Sequence, residues 1–432
     1  MPKKERLNAE LWDKMHYMFR DYNDRMVHVV LNYDYLIDIE ALKNVIICFV
    51  EKIPVLHSSF HFSASDPYWQ ADDYTIEELL TVIDEPDDLE IATEDFIMQY
   101  LPPESNLQIK FAVINKDGKS TLCILENHMC MDGGDLKSFL ASFCEGYTDL
   151  VNEEKSPVEI VRQGSRSFEE VYSDLSVTEK RAAKRLYKNV SNKDKHGFPF
   201  TDDEKYDKSF IVKRKIDAEK FAKLRAAGKA IDATVNDILV GAFLYSMYDI
   251  ASFKEDEEVV VSCAVDLRRY MSNLDTVGYT NHTAYMPCST PGKARNIKES
   301  VEFAKISARK NKDDRFMGLY GLPLLKLAYN IMPYVASENV IKIGYSNPLL
   351  SMSNIGVLDT VKLSLCDHPP IDGYMTGAVK YKPFALMSAT SMNGELTLVM
   401  CERGNTKDKE LIELFFNSLE RDFDDLIDQT GV

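Results

Sequence analysis

Apolar residues recur at two spacings in the first half of the chain. Residues 36–50 carry them at helical spacing behind Asp38, which can cap a helix. Residues 108–115 and 120–126 have strand composition instead, and Asp117-Gly118 between them is a hairpin signal. The pattern therefore predicts a helix followed by a pair of antiparallel strands.

The second half of the chain repeats this alternation of helices and strands. Residues 233–244 form a strongly apolar helical pattern with Thr234 available as its cap. Residues 259–265 predict a buried strand. Asn393-Gly394 lies between two further strand-like runs and is the strongest short-range hairpin signal in the chain.

A polar and irregular stretch, residues 152–209, separates the two halves. A chain of 432 residues is long for one hydrophobic core, which favours two units. Helices and strands alternate on both sides of the irregular stretch, so the predicted class is mixed α/β. We place the first half at residues 1–190 and the second at residues 191–432.

Polar residues whose side chains could take part in catalysis follow one buried strand. His128 lies at the exit of the apolar run 122–126, Asp132 comes four residues later, and Gly133 and Gly134 precede a helical pattern. A neutral imidazole can accept a proton from a hydroxyl or an amine near pH 7, so His128 is a candidate general base. Asp132 would either orient that ring or hold the loop, and the glycines would permit backbone angles that other residues resist.

Composition narrows the functional classes. The net charge of −18 and the pI near 5.0 argue against a nucleic-acid partner, because phosphate binding needs a basic surface. A hydrophobic content of 45% is sufficient for packed cores. No stretch approaches 18 consecutive apolar residues and the N-terminus is not typical of a signal peptide, so neither a membrane span nor export is predicted.

The eight cysteines are dispersed, and no pair has CxxC spacing. The sequence therefore predicts neither a zinc site nor a disulfide framework. Buried, reduced thiols are typical of cytosolic proteins, so we expect a cytoplasmic protein without a metal. Cys130 lies near His128, but a buried thiol is the preferred interpretation over a nucleophile.

The segment from Asn127 to Gly133 is similar to the HHxxxDG motif of the coenzyme-A-dependent acyltransferases. That superfamily includes chloramphenicol acetyltransferase, alcohol acetyltransferases, wax-ester and diacylglycerol acyltransferases, and the condensation domains of nonribosomal peptide synthetases. Asn127 replaces the first His of the pattern, whereas the second, catalytic in the family, is present as His128. Further segments resemble family elements in order along most of the chain, at residues 36–60, 234–237, 265–268, 278–281 and 353–356.

The resemblance implies an architecture and a set of roles. Two chloramphenicol-acetyltransferase-like halves, each a mixed sheet with helices, would form a V around a central tunnel. Donor and acceptor would enter that tunnel from opposite faces and meet at His128, the general base. Asp132 would make a structural salt bridge that points away from His128, with Arg268 or another arginine as its partner, and Gly133 completes the motif.

The resemblance also implies which residues line the tunnel. Ser353 and Asn354 are candidate donors to a developing oxyanion, although turn chemistry before Gly356 accounts for them equally well. Asn127 is a further tunnel candidate because it occupies the place of the first His.

The expected function is acyl transfer from a coenzyme A thioester, or from carrier-bound phosphopantetheine, to an alcohol or amine. Its partners would be a small-molecule donor and a small-molecule acceptor. A stand-alone condensation domain acting with a carrier protein is one alternative. A catalytically reduced binding module of the same fold is another, which the replacement at Asn127 keeps open.

Overall fold

The computed structural model describes residues 5–63, 66–153, 161–185, 196–320, 322–344 and 347–432. The strands are β1 Arg6–Asn8, β2 Met26–Tyr33, β3 Ser58–His61, β4 Tyr68–Ala71, β5 Leu80–Asp84, β6 Ile109–Lys116, β7 Lys119–Asn127, β8 Lys208–Ile216, β9 Val259–Asp266, β10 Thr283–Thr290, β11 Leu350–Val357, β12 Asp372–Thr376, β13 Lys380–Tyr381, β14 Ala385–Met392 and β15 Glu395–Gly404. The helices are α1 Leu11–Met18, α2 Ile39–Lys52, α3 Ile76–Leu79, α4 Leu89–Ile97, α5 Gly133–Val151, α6 Val177–Arg185, α7 Ala218–Ala230, α8 Val235–Ile250, α9 Ile297–Lys312, α10 Leu322–Ile331, α11 Tyr334–Gly344 and α12 Thr406–Thr430.

A five-stranded mixed sheet in the order β12-β2-β7-β6-β5 organises the first half. Strand β7 is its central strand, paired antiparallel with both β2 and β6. Both faces of β7 are covered, which is why residues 121–127 are buried without the alternation of a half-exposed strand. Helices α2 and α5 pack on each other through aromatic contacts of Phe49 with Phe139 and Phe143, and Phe143 stacks on Phe111 of β6 in this sheet. A three-stranded sheet, β1-β4-β3, lies beside this core.

The second half is built on a larger mixed sheet in the order β10-β9-β11-β14-β15-β13, with β8 also paired to β15. Its apolar face packs against helices α8, α9 and α12 in a separate core. Helices α8 and α9 approach closely enough that a Cβ at Gly241 would lie 2.6 Å from the backbone of Val301. This sheet holds β9, β10 and β11 against the loop between β7 and α5 in the first half, residues 128–132, which we call the motif loop.

One strand of the second half belongs to the first-half sheet. Strand β12 pairs antiparallel with β2, with Thr376 opposite His28 and Asp372 opposite Asn32. The two halves are therefore interlocked by main-chain hydrogen bonds. The predicted boundary between residues 190 and 191 lies outside the described residues, and the division of the chain stays a proposal.

The two hairpins predicted from dipeptide signals are confirmed. Asp117 and Gly118 connect β6 to β7 with φ of 52° and 74°, and Asn393 and Gly394 connect β14 to β15 with φ of 51° and 83°. Positive φ at both central residues matches the right-handed twist of the flanking strands, and Asn, Asp and Gly tolerate it. The Thr234 cap is confirmed too, since its side chain accepts a hydrogen bond from Asp237 N.

The composition of residues 278–282 predicts the opening of a strand, and this prediction is wrong, because β10 begins only at Thr283. The intervening backbone pairs with carboxylates instead of a strand: Thr280 N donates to Asp135 Oδ2 at 2.7 Å, and His282 N to Asp132 Oδ2 at 2.7 Å. Within the irregular stretch, residues 176–190 have a helical pattern; α6 forms part of it, and residues 186–190 lie outside the described residues.

Candidate active site

A cavity of about 900 Å³ lies between the two halves. The first half contributes His128, Asp132 and Gly133 to its lining, and the second half contributes Ser353 and Asn354. The structure thus brings the motif and the residues predicted more than two hundred positions downstream to the same cavity. A concave and mostly apolar site with a few convergent polar groups is typical of a small-molecule site.

The short loop between β7 and α5 presents His128 to this cavity. His128 N donates to Arg25 O at 2.7 Å, and Cys130 N donates to Asn127 O at 2.8 Å, which closes a tight turn. The buried Glu126 carboxylate accepts a hydrogen bond from Met131 N at 3.1 Å. The loop is therefore held by its own backbone and by the end of β7.

Asn281 fixes the orientation and the tautomer of the His128 ring. The amide nitrogen of Asn281 donates to His128 O at 2.7 Å, while its oxygen lies 2.9 Å from His128 Nδ1. A carbonyl oxygen can only accept, so Nδ1 must carry the proton. The Nε2 atom then bears the lone pair, which is the state that a general base requires.

A second histidine stacks on His128. The ring of His16, from α1, lies 4.5 Å from the His128 ring at an interplanar angle of 23°, and both rings line the cavity. Burial lowers the pKa of His128, against the opposing effect of Asp132. Burial and the neighbouring His128 hold the pKa of His16 well below its usual range. Both imidazoles are therefore neutral near pH 7.

Asp132 turns away from His128 into a network of donors. It caps α5 by accepting from Asp135 N, and its Oδ2 accepts from His282 N at 2.7 Å, Thr283 Oγ1 at 3.0 Å and Arg268 Nη1 at 3.0 Å. Burial alone would raise the pKa of Asp132, but Arg268 and these N–H donors outweigh it and lower that pKa to about 2. Asp132 is thus a permanently charged structural anchor.

Arg268 completes this network. Its guanidinium reaches Asp135 at 2.9 Å and Asp266 at 3.0 Å in addition to Asp132, and it donates to Thr280 O at 3.3 Å. The structure thereby brings together Asp132 and Arg268, the pair that the sequence singled out. The cluster ties the N-terminus of α5 to the β9–β10 connection, and so ties the two halves together behind the motif loop.

The expectation that Gly133 and Gly134 serve unusual backbone angles is wrong, because neither has a positive φ. Space accounts for Gly134: a Cβ there would lie 3.3 Å from Arg268 Nη1 and from Asp266 Oδ2. A Cβ at Gly133 would meet nothing within 4 Å, and Gly133 lines the cavity. Gly134 therefore lets the ion cluster close, while Gly133 leaves room beside His128.

The tunnel candidates separate into two groups. Ser353 is half-buried in the cavity wall on β11, and Asn354 is exposed there, with its Oδ1 accepting from Gly356 N at 3.1 Å. Asn127, in contrast, is buried outside the described cavity lining. Its Nδ2 donates to Gln108 Oε1 at 2.8 Å and its Oδ1 accepts from Met129 N at 3.1 Å. These bonds commit Asn127 to shaping the loop rather than to facing a substrate.

The sequence did not single out His16, Asn281 as a partner of His128, or Lys380. Lys380 is 8% exposed and lines the cavity, and burial lowers its pKa to about 8 although Glu402 and Asp24 oppose the shift. Asn281 lay within the segment 278–281 that the family resemblance marked, which was a usable signal. His16 and Lys380 lie in ordinary helix and strand patterns. Only the fold stacks His16 on His128 and places Lys380 in the lining of the same cavity.

The preferred interpretation of Cys130 agrees with its surroundings. Its side chain is fully buried and lies 3.8 Å from Val55 O, and burial holds the pKa of the thiol well above its usual range. A thiol that is not ionised is a poor nucleophile. Among the residues that the structure describes, no group of three or more His, Cys, Asp or Glu side chains is placed to hold a metal ion.

No helix in the described ranges is both long enough and apolar enough to cross a membrane. No protein-family model matches the sequence, and no curated protein matches it. Comparison of structures, in contrast, finds matches over nearly the whole chain.

The first condensation domain of the calcium-dependent antibiotic synthetase superposes with a TM-score of 0.69 at 14% identity, covering 98% of this chain and 97% of that one. The trichothecene 15-O-acetyltransferase of Fusarium sporotrichioides gives 0.67 at 10% identity, covering 98% and 95%. Polyketide synthase associated protein 5 of Mycobacterium tuberculosis gives 0.66 at 16% identity, covering 96% and 97%. The chain therefore has the two-half α/β fold of the chloramphenicol-acetyltransferase-like acyltransferases and condensation domains, as the motif around His128 predicted.

Proposed function

We propose that this protein transfers an acyl group from a coenzyme A thioester to an alcohol or amine acceptor, with His128 as the general base. The observation that carries the proposal is the hydrogen bond between His128 Nδ1 and Asn281, because it leaves Nε2 unprotonated beside a cavity of substrate size. The fold neighbours include an acetyltransferase and a condensation domain, which supports acyl transfer in general.

In the proposed reaction, Nε2 takes the proton of the acceptor hydroxyl or amine as its oxygen or nitrogen attacks the thioester carbonyl carbon. The tetrahedral intermediate carries its negative charge on the former carbonyl oxygen. It collapses by breaking the carbon–sulfur bond, and the leaving thiolate takes the proton back from Nε2. A positioned base of this kind contributes about 10²- to 10⁴-fold in rate.

The negative oxygen of the intermediate needs donors. Ser353 and Asn354 are our candidates, since both line the cavity from β11. Lys380 is an additional candidate: it lines the same cavity, and a pKa of about 8 leaves it mostly cationic at pH 7. Donors placed before the charge develops are worth more in a site that excludes water than in bulk solvent.

In this proposal Asp132 and Arg268 do not exchange protons with substrate. The Asp132 carboxylate is saturated with donors and holds the loop that presents His128. Asn281 takes the orienting part that an acidic residue plays in other His-based sites. Since its amide is neutral, it does not raise the pKa of His128 as strongly as a carboxylate would.

The test is release of free thiol from a panel of acyl-coenzyme A donors with alcohol and amine acceptors. We expect His128→Ala to lower the rate about 10²- to 10⁴-fold. His61→Ala is the matched control, since His61 is an exposed histidine outside the described cavity lining, and it should retain the rate. Equal rates for the wild type and His128→Ala, or no release from any donor, would refute the proposal.

A carrier-bound phosphopantetheine donor is the second candidate, and the superposed condensation domain favours it. The same panel should then include an acylated carrier protein, followed by mass spectrometry of the carrier. Transfer from the carrier alone, without turnover of any coenzyme A thioester, would replace the first donor by the second and leave the part of His128 unchanged.

A further inference from the structure

The charged side chains of the cavity lining and its most apolar stretch come from different elements. Its charged and imidazole side chains all come from elements other than α10 and α11; they are His16, His128, Asp132, Lys137, Asp266 and Lys380. The lining residues that α10 and α11 contribute are, in contrast, all apolar. The reacting group that we propose therefore shares this chamber with a wall, formed by α10 and α11, that carries no charge among the described lining residues.

Helix α10 turns an apolar stripe toward this chamber. Leu324, Leu327, Ala328 and Ile331 recur at the i, i+3, i+4 and i+7 positions of one helical face, and all four line the cavity. Leu324, Leu327 and Ile331 are 52%, 50% and 67% exposed. Large apolar side chains on one helical face normally pack against a core, whereas the described residues leave about half or more of each of these three side chains uncovered.

The apolar surface continues on both sides of α10. Val340 of α11 also lines the cavity and is 51% exposed. Met15 lines it from α1, the helix that carries His16, and Phe19 lines it from the turn that follows that helix. Tyr329 of α10 contacts Met15 Sδ at 3.8 Å, and His16 of the same α1 helix stacks on His128, so α1 lies between the α10 wall and the proposed base.

We infer that the α10–α11 wall binds an extended apolar chain of a substrate whose reacting group lies at His128. The assignment of this chain to a substrate rests on the proposed acyl transfer, whereas the binding of an apolar chain does not. The chain belongs either to the acyl donor or to the acceptor, since an alkyl tail has the same chemistry in both. The cavity volume of about 900 Å³ falls within the range that is usual for small-molecule binding sites.

Chain length then determines affinity. Each methylene transferred from water to an apolar wall contributes about 0.8 kcal/mol, or roughly fourfold in affinity. We expect affinity to rise by this factor with each carbon until the chamber is full, and then to level off. A polar or very short substrate would gain nothing from this wall.

The first experiment measures binding without turnover. A series of 1-alkanols displaces 1-anilinonaphthalene-8-sulfonate from the intact protein, and the dissociation constants are compared along the series. Ile331→Glu should weaken the longer alkanols at least tenfold, because it places a carboxylate in the wall. Ile91→Glu is the matched control: Ile91 is 60% exposed on α4 and outside the described cavity lining, so its variant should bind like the wild type.

The second experiment decides between donor and acceptor. Leu327→Trp narrows the chamber, and Leu414→Trp on α12 is the control, since Leu414 is 59% exposed outside the described lining. For Leu327→Trp, the preferred chain length in kcat/KM should fall by two or more carbons in one series only. A shift in the acyl-coenzyme A series assigns the chain to the donor, and a shift in the alcohol series assigns it to the acceptor.

Three outcomes separate this inference from its rivals. Binding that does not depend on alkanol length, or that is equal in Ile331→Glu and the wild type, would overturn it. So would loss of self-association or of phosphatidylcholine vesicle binding in Ile331→Glu with alkanol binding unchanged, because the stripe would then be an external docking face. Length-dependent binding together with no thiol release would support the apolar chamber and refute the acyl-transfer proposal.

Discussion

The side chains on the two sides of the motif loop differ in their charge. Behind the loop, Asp132, Arg268 and Asp135 form a buried ion cluster in which each carboxylate has several donors. In front of it, His128 and His16 are neutral rings stacked beside an open cavity. Asp132, whose pKa Arg268 and the N–H donors lower, resists protonation, whereas a neutral imidazole with one free nitrogen can exchange a proton. The loop therefore combines a structural face and a chemical face within five residues.

The largest effect should come from breaking the structural face. Arg268→Met leaves the Asp132 carboxylate buried without a guanidinium and leaves Asp135 with that of Arg162 alone, and we expect it to lower the free energy of unfolding by about 3–5 kcal/mol. Arg269→Met is the matched control, because Arg269 is exposed. Urea unfolding followed by circular dichroism measures both. A loss below about 1 kcal/mol for Arg268→Met would mean that the cluster does not anchor the loop.

The pH dependence of the free energy of unfolding offers a second test of the structural face, through His282. Burial first and then Arg268 lower its pKa to about 4, so the unfolded chain, with a histidine pKa near 6.5, takes up this proton first as pH falls. The stability contribution of neutral His282 is thus full above pH 6.5 and is lost toward pH 4, a change of about 3 kcal/mol.

We expect His282→Gln to remove this component. The difference in unfolding free energy between wild type and variant should therefore change with pH between 7 and 4. Other groups titrate in this range in both proteins and cancel in the difference. A difference that stays constant with pH would show that His282 does not remain neutral in the folded protein.

On the chemical face, Asn281→Asp should convert a neutral partner of His128 into a charged one. A carboxylate at 2.9 Å from Nδ1 would stabilise the imidazolium, and a nearby opposite charge shifts a pKa by about one to three units. We expect the acidic limb of the pH dependence of kcat/KM to move upward by at least one unit. An unmoved limb would show that the limb reports a group other than His128.

The smallest effect is expected at His16. An aromatic contact is worth about 0.5–1.5 kcal/mol, so His16→Ala should lower kcat/KM by about two- to tenfold, while His16→Phe keeps the stack and most of the activity. Steady-state thiol release with both variants measures this. If His16→Phe loses as much as His128→Ala, then His16 shares in the proton transfer and the chemical face has two reacting rings.

Much of the site was predictable from local sequence. The apolar run of β7 and the sequence from Asn127 to Gly133 indicated a His at the end of a buried strand before a helix, and the structure has β7 and α5 there. The predicted pairing of Asp132 with Arg268 rested on the family resemblance, and Arg268 Nη1 lies 3.0 Å from Asp132 Oδ2. Both hairpins followed from dipeptides whose conformational preferences are local.

The surroundings of other side chains could not be predicted from the sequence. Asn127 looked like a tunnel residue by its place in the motif, but the adjacent side chain of a strand points to the opposite face, toward Gln108. The apolar stripe of α10 follows helical periodicity, yet periodicity cannot say whether an apolar face meets a core or a cavity.

The sequence by itself determined the elements, the mixed α/β class and the identity of His128 as the candidate base, because these depend on periodicity, turn chemistry and one contiguous motif. Tertiary structure alone decided which residues meet that base. Asn281, His16 and Lys380 come from three distant segments, and strand β12 crosses into the first-half sheet. Contacts of this kind depend on how the two halves pack, and residue spacing along a chain carries no record of that geometry.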